Sequence, residues 1–586
     1  MPTERIPLVG SFNQRGLDGT GALTLNEDQR FLNVIFEISQ NPLTGKSTVY
    51  ANKRPGWQTD SLVSSGIAST GLIKPIDFPA ALSAFGDTNS AVYVGQIHVG
   101  NITGRARHFT ETLVSASSYV LIKSSDGTGW YYPQGAKDVT SYSGFTSSGF
   151  FTISTVADVS GLYTGQLITG NTIGSGARIS SVNSATSTIG LTAANIATST
   201  GAVVTKEPIA KIIDADFLTT GTYISGFAPM DGYVFYATDD GNINNSDLNS
   251  VSVYSASGRL PVQQSPDASV AVAVQKNNVL VLGTNSKEVF HNAGLATGSP
   301  LARTAQYAER IGCLDQRSLT QIEDDIYFVS TPYEGDVGVY RIRNLMATKV
   351  STPAVDKIIG TFASDGAIYA SSFKLGGQSY ATFCLSTAQD GPDSMLLLET
   401  GDFLLLETGD NILTEDTASQ TASFVRLLVY NITVGLWSEW DCDEATFIDS
   451  VASGTANQIL ATSRFVTGGK VYKVSPIASG TVYQDDTSSY SMEIRTAKIN
   501  HGTNKTKIVE EVRLVCDQQS SGTATLSYSD DDYSTWSTPR EFDLTSPEPK
   551  LTRLGSHRGG RAYKVEHSSN AGFRASAMEI VYRFGN

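Results

Sequence analysis

The chain has 586 residues, too many for one ordinary hydrophobic core, and its 57 acidic and 42 basic residues leave a net charge of −15. Only 17% of residues are charged, Gly numbers 54, and Tyr (25) and Phe (24) far outnumber Met (6), a balance that favours strands and turns over helices. It excludes a heptad-built coiled coil and a generic nucleic-acid binder, which would need the opposite sign of charge.

Residues 1–5 show no basic segment leading into an apolar stretch, so no secretory signal is read there. The longest apolar runs, such as 270–274, fall far short of the ~20 residues of a spanning helix. Short aromatic or β-branched runs then recur, each followed by a polar turn and a second run. Residues 119–123 lead through Ser124, Ser125, Asp126 and Gly127 to 130–132, and residues 233–237 run into the turn at 238–241. Residues 279–282 turn at 283–286 into 287–291, and 326–329 pair with 337–342 across 332–335. Residues 427–430 turn into 436–440, and 459–462 face 471–474. Gly, Asn and Asp in such turns supply the positive φ that hairpins need. Spacings of roughly 40–60 residues match four-stranded propeller blades, with a string of separate sandwiches as the competing arrangement. The blade number stays open.

Two segments interrupt the rhythm. From 150 to 205 only Asp158 and Arg178 are charged, and Ser, Thr, Gly, Ala, Ile and Val dominate. The regular apolar spacing predicts a small strand-rich module inserted in a blade loop, where insertion costs little. Residues 396–416 hold an eight-residue tandem repeat, an apolar triplet and Glu closed by Thr-Gly-Asp, expected to form a protruding meander. Acids eight residues apart do not share one calcium shell, so no metal or other cofactor is expected. The cysteines, Cys313, Cys384, Cys442 and Cys516, form no ligand spacing and read as free thiols.

Alternating character at 511–515, 523–529 and 578–584 predicts a C-terminal β-sandwich. Within it Ser529, Asp531, Thr535 and Trp536 fit the S-x-D-x-G-x-T-W turn, the Asp box, with Tyr533 in place of Gly. In that turn Asp caps backbone N–H groups, a structural device. The paired acids at 239–240, 324–325 and 485–486 are read as solvated turn residues, and no GxSxG, HExxH or P-loop is present. No catalytic residue is assigned. One basic loop, Arg553, His557, Arg558, Arg561 and Lys564, is a candidate contact for nucleic acid or an acidic partner. The plainer reading pairs it with Asp530, Asp531 and Asp532.

Several stretches together resemble one family. They are residues 283–294, then 310–313, 325–329, 339–342 and 350–355, with the opening motifs at 29–33 and 53–56. Tyr430, Asn431 and Trp437, Ser438, Glu439, Trp440, and later Tyr528, Ser529 with Thr535, Trp536, Ser537, follow in order. The whole is similar to the packaged-DNA stabilisation proteins, the tail nozzle or hub, of short-tailed bacteriophages. The resemblance implies a structural virion protein, not an enzyme, assembled in the host cytoplasm as a homo-hexameric ring below the portal and adaptor. Such a ring would carry needle, fibres or spikes, retain the genome and pass DNA at ejection. The 150–205 module and the 396–416 repeat depart from it.

The expected organisation is all-β. Residues 1–149 form an N-terminal arm and the first part of a β-propeller, with an inserted β module at 150–206. The propeller resumes over 207–490, with the meander at 396–416, and 491–586 form a β-sandwich-like domain. A carbohydrate-active propeller enzyme and a receptor-binding tail fibre are the alternatives, the first pointed to by the Asp box and aromatics.

Overall fold

The protein is described here by a computed structural model. It covers residues 2–9, 30–40, 47–60, 73–76, 82–86, 91–94, 97–104, 106–133, 141–159, 161–218, 225–262, 267–295, 298–330, 337–363, 367–386, 425–441, 450–453, 459–462, 471–474, 482–486, 488–531 and 533–585. Strands dominate, and the six hairpins predicted from turn chemistry are all present. The tandem repeat at 396–416 and Cys442 lie outside the described residues.

Among the described residues, seven four-stranded antiparallel blades follow one another. The first spans Ile73–Ile76 to Ile97–Asn101. The second has Ala106–Val114, Ser117–Ser124 and Gly129–Pro133, with the end of Ser199–Lys211 as its fourth strand. The third runs from Ala228–Met230 to Tyr254–Pro261, the fourth from Ser269–Gln275 to Leu301–Arg303, and the fifth from Leu319–Ile322 to Met346–Lys349. Helix Pro353–Ala363 leads into the sixth, Ala367–Leu375 to Leu436–Trp440. In the seventh, Ser450–Ser453, Ile459–Thr462 and Val471–Val474 are completed by Gln58–Asp60, from the other end of the chain. Its first two strands lie against Ile73–Ile76, so the ring of blades closes.

The apolar core is divided among the seams between blades. In Asn278–Gly283, Val279 and Val281 pack towards the third blade while Leu280 and Leu282 pack towards the fifth. Strands buried on both faces read as continuous apolar runs, which explains the character of residues 279–282. Between the fifth and sixth blades, Val355, Ile359 and Phe362 of the helix join Tyr327, Phe383 and Trp437.

The inserted module departs from the second blade. Ser141–Thr146 pairs with the start of Ser199–Lys211, whose end pairs with Gly129–Pro133. Ile153, Ile168, Ile179, Ile189 and Leu191 give the module its own core. A separate sandwich combines strands from both ends of the chain. Thr3–Pro7 and Ser47–Lys53 pair with Arg574–Phe584, and Arg30–Leu32 pairs with Met492–Arg495. Residues 1–149 are thus shared between two bodies: the arm expected to lead into the propeller first supplies four sandwich strands, Val34–Gln40 pairing with Ser47–Lys53 as the fourth. The cause is apolar: Ile6, Phe31, Val34 and Phe36 belong to the same core as Val512, Leu526 and Ile580. Arg30–Leu32 also meets Leu436–Trp440 in parallel, joining a sandwich sheet to the sixth blade.

Trp57 marks the crossing from sandwich to propeller; it is fully buried and packs 6.0 Å from the Trp440 ring. Trp57→Ala is expected to cost about 3–5 kcal/mol. A urea-unfolding midpoint unchanged from wild type would refute the closing role given to residues 57–60.

Candidate functional sites

The most concentrated polar constellation sits where propeller and sandwich meet. Arg54 follows strand Ser47–Lys53 and is wholly buried. Its Nη1 and Nη2 donate to Asp485 Oδ1 (2.9 Å) and Oδ2 (2.6 Å). The remaining N–H groups donate to Asn33 Oδ1 (2.9 Å), the Pro55 carbonyl (3.1 Å) and the Asp441 carbonyl (2.7 Å). All five guanidinium donors are therefore matched. The Tyr490 ring lies 3.9 Å from the guanidinium carbon. Asp485 in turn accepts from the Trp57 N–H at 2.9 Å. Asn33 and Tyr490 flank sandwich strands, Asp441 ends the sixth blade, and Asp485 follows the seventh, so one cation ties four segments.

Neighbouring residues tighten the joint. Lys53 Nζ donates to the carbonyls of Tyr490 (2.9 Å) and Ser569 (2.8 Å). Burial, and secondarily the Arg54 charge, lower its pKa to about 8. A Cβ on Gly56 would stand 1.9 Å from the Gln484 carbonyl oxygen, so only glycine fits. Arg30 pairs with Glu439 at 2.8 Å. The described residues of the opening motifs, 30–33 and 53–56, are thus parts of one joint. Asp485, expected as a solvated turn acid, is 2% exposed, because Arg54 draws it inward. Nothing in the sequence links residues 431 apart.

A second constellation holds the fourth blade to the fifth. Lys287, fully buried, pairs with Glu309 and donates to the Leu345 carbonyl. Asp267 accepts from the Asn285 N–H (2.7 Å) and the Ser286 hydroxyl (2.9 Å). A Cβ on Gly312 would lie 2.0 Å from the Thr284 carbonyl oxygen. The resemblance-bearing residues at 283–294 and 310–313 accordingly build a blade seam.

The Asp-box-like turn lies in the sandwich. Asp531 accepts from the Thr535 N–H (2.9 Å) and hydroxyl (2.5 Å) and from the Ser529 hydroxyl (2.8 Å). These bonds, the Thr535 hydroxyl foremost, hold the Asp531 carboxyl at about 2. Tyr533 occupies the glycine position with φ 65°, and its buried hydroxyl donates to the Thr496 carbonyl at 3.0 Å. Trp536 is half-buried beneath Arg495 and Lys564.

The basic loop does not form one surface. Arg561 is 1% exposed, donates to Asp530 (2.7 and 2.8 Å) and stacks 3.9 Å from the Tyr528 ring. Lys564 meets Glu566 at 3.1 Å. Only Arg553 and Arg558 of the loop's charged residues are exposed. Lys507 underlies the loop, its buried ammonium donating to the carbonyls of Asn500, Thr503, Arg558 and Gly559.

The other acids are engaged locally. Asp325 pairs with Arg343 beside a polar cleft of about 250 Å³ that Lys276, Glu323 and Asp324 also line. Asp240 accepts from the Thr238 hydroxyl, and Asp486 from the Thr59 N–H at 2.6 Å. Among the described residues, no three His, Cys, Asp or Glu side chains are grouped to hold a metal. No helix there is long and apolar enough to cross a membrane.

Residues 146–373 match the family described as Phage_stabilise: Bacteriophage P22 Gp10, beta-propeller. That is the family the sequence landmarks resemble. The matched stretch contains the module, the third to fifth blades and helix Pro353–Ala363, while the joint lies outside it. The Gp10 match supports a structural role in a bacteriophage. No match to a curated protein was found. Among solved structures, the computationally designed Ika8 protein is similar at 12% identity and TM-score 0.31, over 71% of this chain and 99% of that one. The phage phi92 endosialidase gives 11% and 0.28, over 76% and 73%. The Neurospora crassa Pan2 WD40 domain gives 8% and 0.31, over 71% and 94%. At such TM-scores the likeness carries no functional argument.

Two sandwich histidines titrate low. His557 (5% exposed) and His567 (1%) are each brought to about 4, first by burial and then by nearby cations, Arg561 and Lys53 respectively. From pH 6.5 down to 4 the unfolded chain binds their protons and the folded chain does not. Stability is therefore expected to fall on acidification through that window, on the order of 2 kcal/mol per histidine. His557→Gln with His567→Gln should flatten the slope in urea titrations at pH 7 and 5; an unchanged slope would contradict the assignment.

Proposed function

We propose that the chain is a structural virion protein of a phage tail, forming the nozzle ring below the portal and its adaptor. In this reading it retains the packaged genome, serves as the conduit for ejection and has no catalytic role. The observation that carries the reading is the match of residues 146–373 to the Gp10 stabilisation family. A propeller locked to a sandwich through a buried ion pair suits a rigid ring subunit. The expected assembly is a homo-hexamer, built in the host cytoplasm and docked to an adaptor ring, with fibre, spike or needle proteins attached.

Charge fits passage better than grip. Residues 491–586 hold 13 basic and 12 acidic residues, so the acid excess belongs to residues 1–490. Where that excess lines the bore, DNA is repelled from the wall instead of held by counterion-releasing contacts.

Electron microscopy of the purified chain, alone and with an adaptor, is expected to show sixfold rings. Deleting residues 150–205 should leave those rings intact, because 206–211 remain to complete the second blade. A trimer would favour a receptor-binding fibre; a monomer that cleaves polysaccharide would favour the enzyme.

A further inference from the structure

The inserted module ends in an apolar knob. Phe150 (62% exposed), Phe151 (54%) and Ile196 (65%) are among the most exposed large apolar side chains of the described residues. They sit on two loops bound back to back. Gly149 N–H donates to the Asn195 carbonyl (2.8 Å), Asn195 N–H to the Phe150 carbonyl (2.9 Å), and Ile196 N–H to the Thr172 carbonyl (3.0 Å). Thr146 pairs with Ser199, placing the knob at the far end of Ser199–Lys211 from the blade that Ala210 and Lys211 join. Thirteen residues of strand separate the two ends, about 40 Å of chain.

Three observations limit what can cover the knob. Its apolar area is roughly 300–400 Å², well below the ~800 Å² per partner of a stable protein interface. Charge is nearly absent: across 150–205 only Asp158 and Arg178 are ionised, and Arg178 stacks on Trp130 at the blade end. Of the polar groups beside the knob, Ser148 Oγ is spent on the Ile196 carbonyl (3.4 Å), Ser148 N–H on Thr198 Oγ1 (2.9 Å) and Asn195 Nδ2 on the Thr152 carbonyl (2.7 Å), while Asn195 Oδ1 and Thr172 Oγ1 are buried away from the surface. A sugar would find few free hydrogen-bond partners there, and a charged partner no counter-charge.

We propose that this tip contacts the hydrocarbon edge of a lipid bilayer, with Phe150, Phe151 and Ile196 entering the interface. Insertion needs no deep groove and no charge, and a rigid, preformed knob loses little entropy on docking. The inference stands apart from the nozzle reading, since it requires no ring.

The test is co-sedimentation of the full chain with neutral phosphatidylcholine vesicles, and with vesicles containing added phosphatidylglycerol. Wild type should pellet with both alike. The triple variant Phe150→Ser, Phe151→Ser, Ile196→Ser should lose binding about tenfold or more while keeping wild-type thermal unfolding, because the side chains are exposed. In Phe151→Trp, the added emission should shift to the blue with vesicles. Absent wild-type binding, binding that requires the anionic lipid, or undiminished binding by the triple variant would each overturn the proposal. So would a drop in oligomeric mass of the triple variant, which would make the knob a contact between copies.

Discussion

The architecture depends on one buried ion pair, Arg54 with Asp485, and on the chain path that brings the two together. Residues 2–53 supply sandwich strands and residues 58–60 the last strand of the seventh blade, so the four residues between belong to both bodies. A buried pair is stabilising only when its remaining valences are filled, since desolvation otherwise exceeds the attraction. Here the Asn33 side chain, two backbone carbonyls and the Trp57 N–H fill them. Removing one partner would strand the other charge, so the pair acts as a registry device: the bodies meet in one arrangement.

Closure of the propeller follows from the same path. A ring of blades is weakest where the first and last blades meet, because chain connectivity does not hold them there. Pairing Gln58–Asp60 with Val471–Val474 puts both ends of the chain into the seventh blade. The sandwich strand Arg30–Leu32 then covers the outer edge of the sixth. An exposed edge strand invites pairing with other chains, and the arrangement turns that liability into an attachment. The module leaves from a blade connection, where added chain does not disturb the seams.

Local features were legible in the sequence and distant ones were not. Turn chemistry located six hairpins because positive φ at Gly, Asn or Asp is a local requirement. The apolar spacing of 150–205 located a module with its own core. The blade count was hidden, since the seventh blade takes one strand from residues 58–60. The sandwich was read from its C-terminal half alone, because strands near residues 5, 31, 37 and 50 carry no mark of their destination. Arg561 belongs to a basic cluster by composition, and the plainer of its two sequence readings, pairing with the nearby acids, is the one the structure shows, with Asp530 as partner. Asp485 looked solvated because it sits among Gln, Asp, Thr and Ser, and only the fold supplies Arg54. Tyr533 filled a glycine position without losing the turn, its hydroxyl finding the Thr496 carbonyl.

The central claim is that propeller and sandwich form one cooperative body through the Arg54 joint. Differential scanning calorimetry of the full chain, wild type and Asp485→Ala, tests it most directly. Wild type should unfold in a single transition, and Asp485→Ala, losing about 3–5 kcal/mol, should separate into two at lower temperature. Two independent transitions in wild type, or a variant with an unchanged single transition, would contradict the claim.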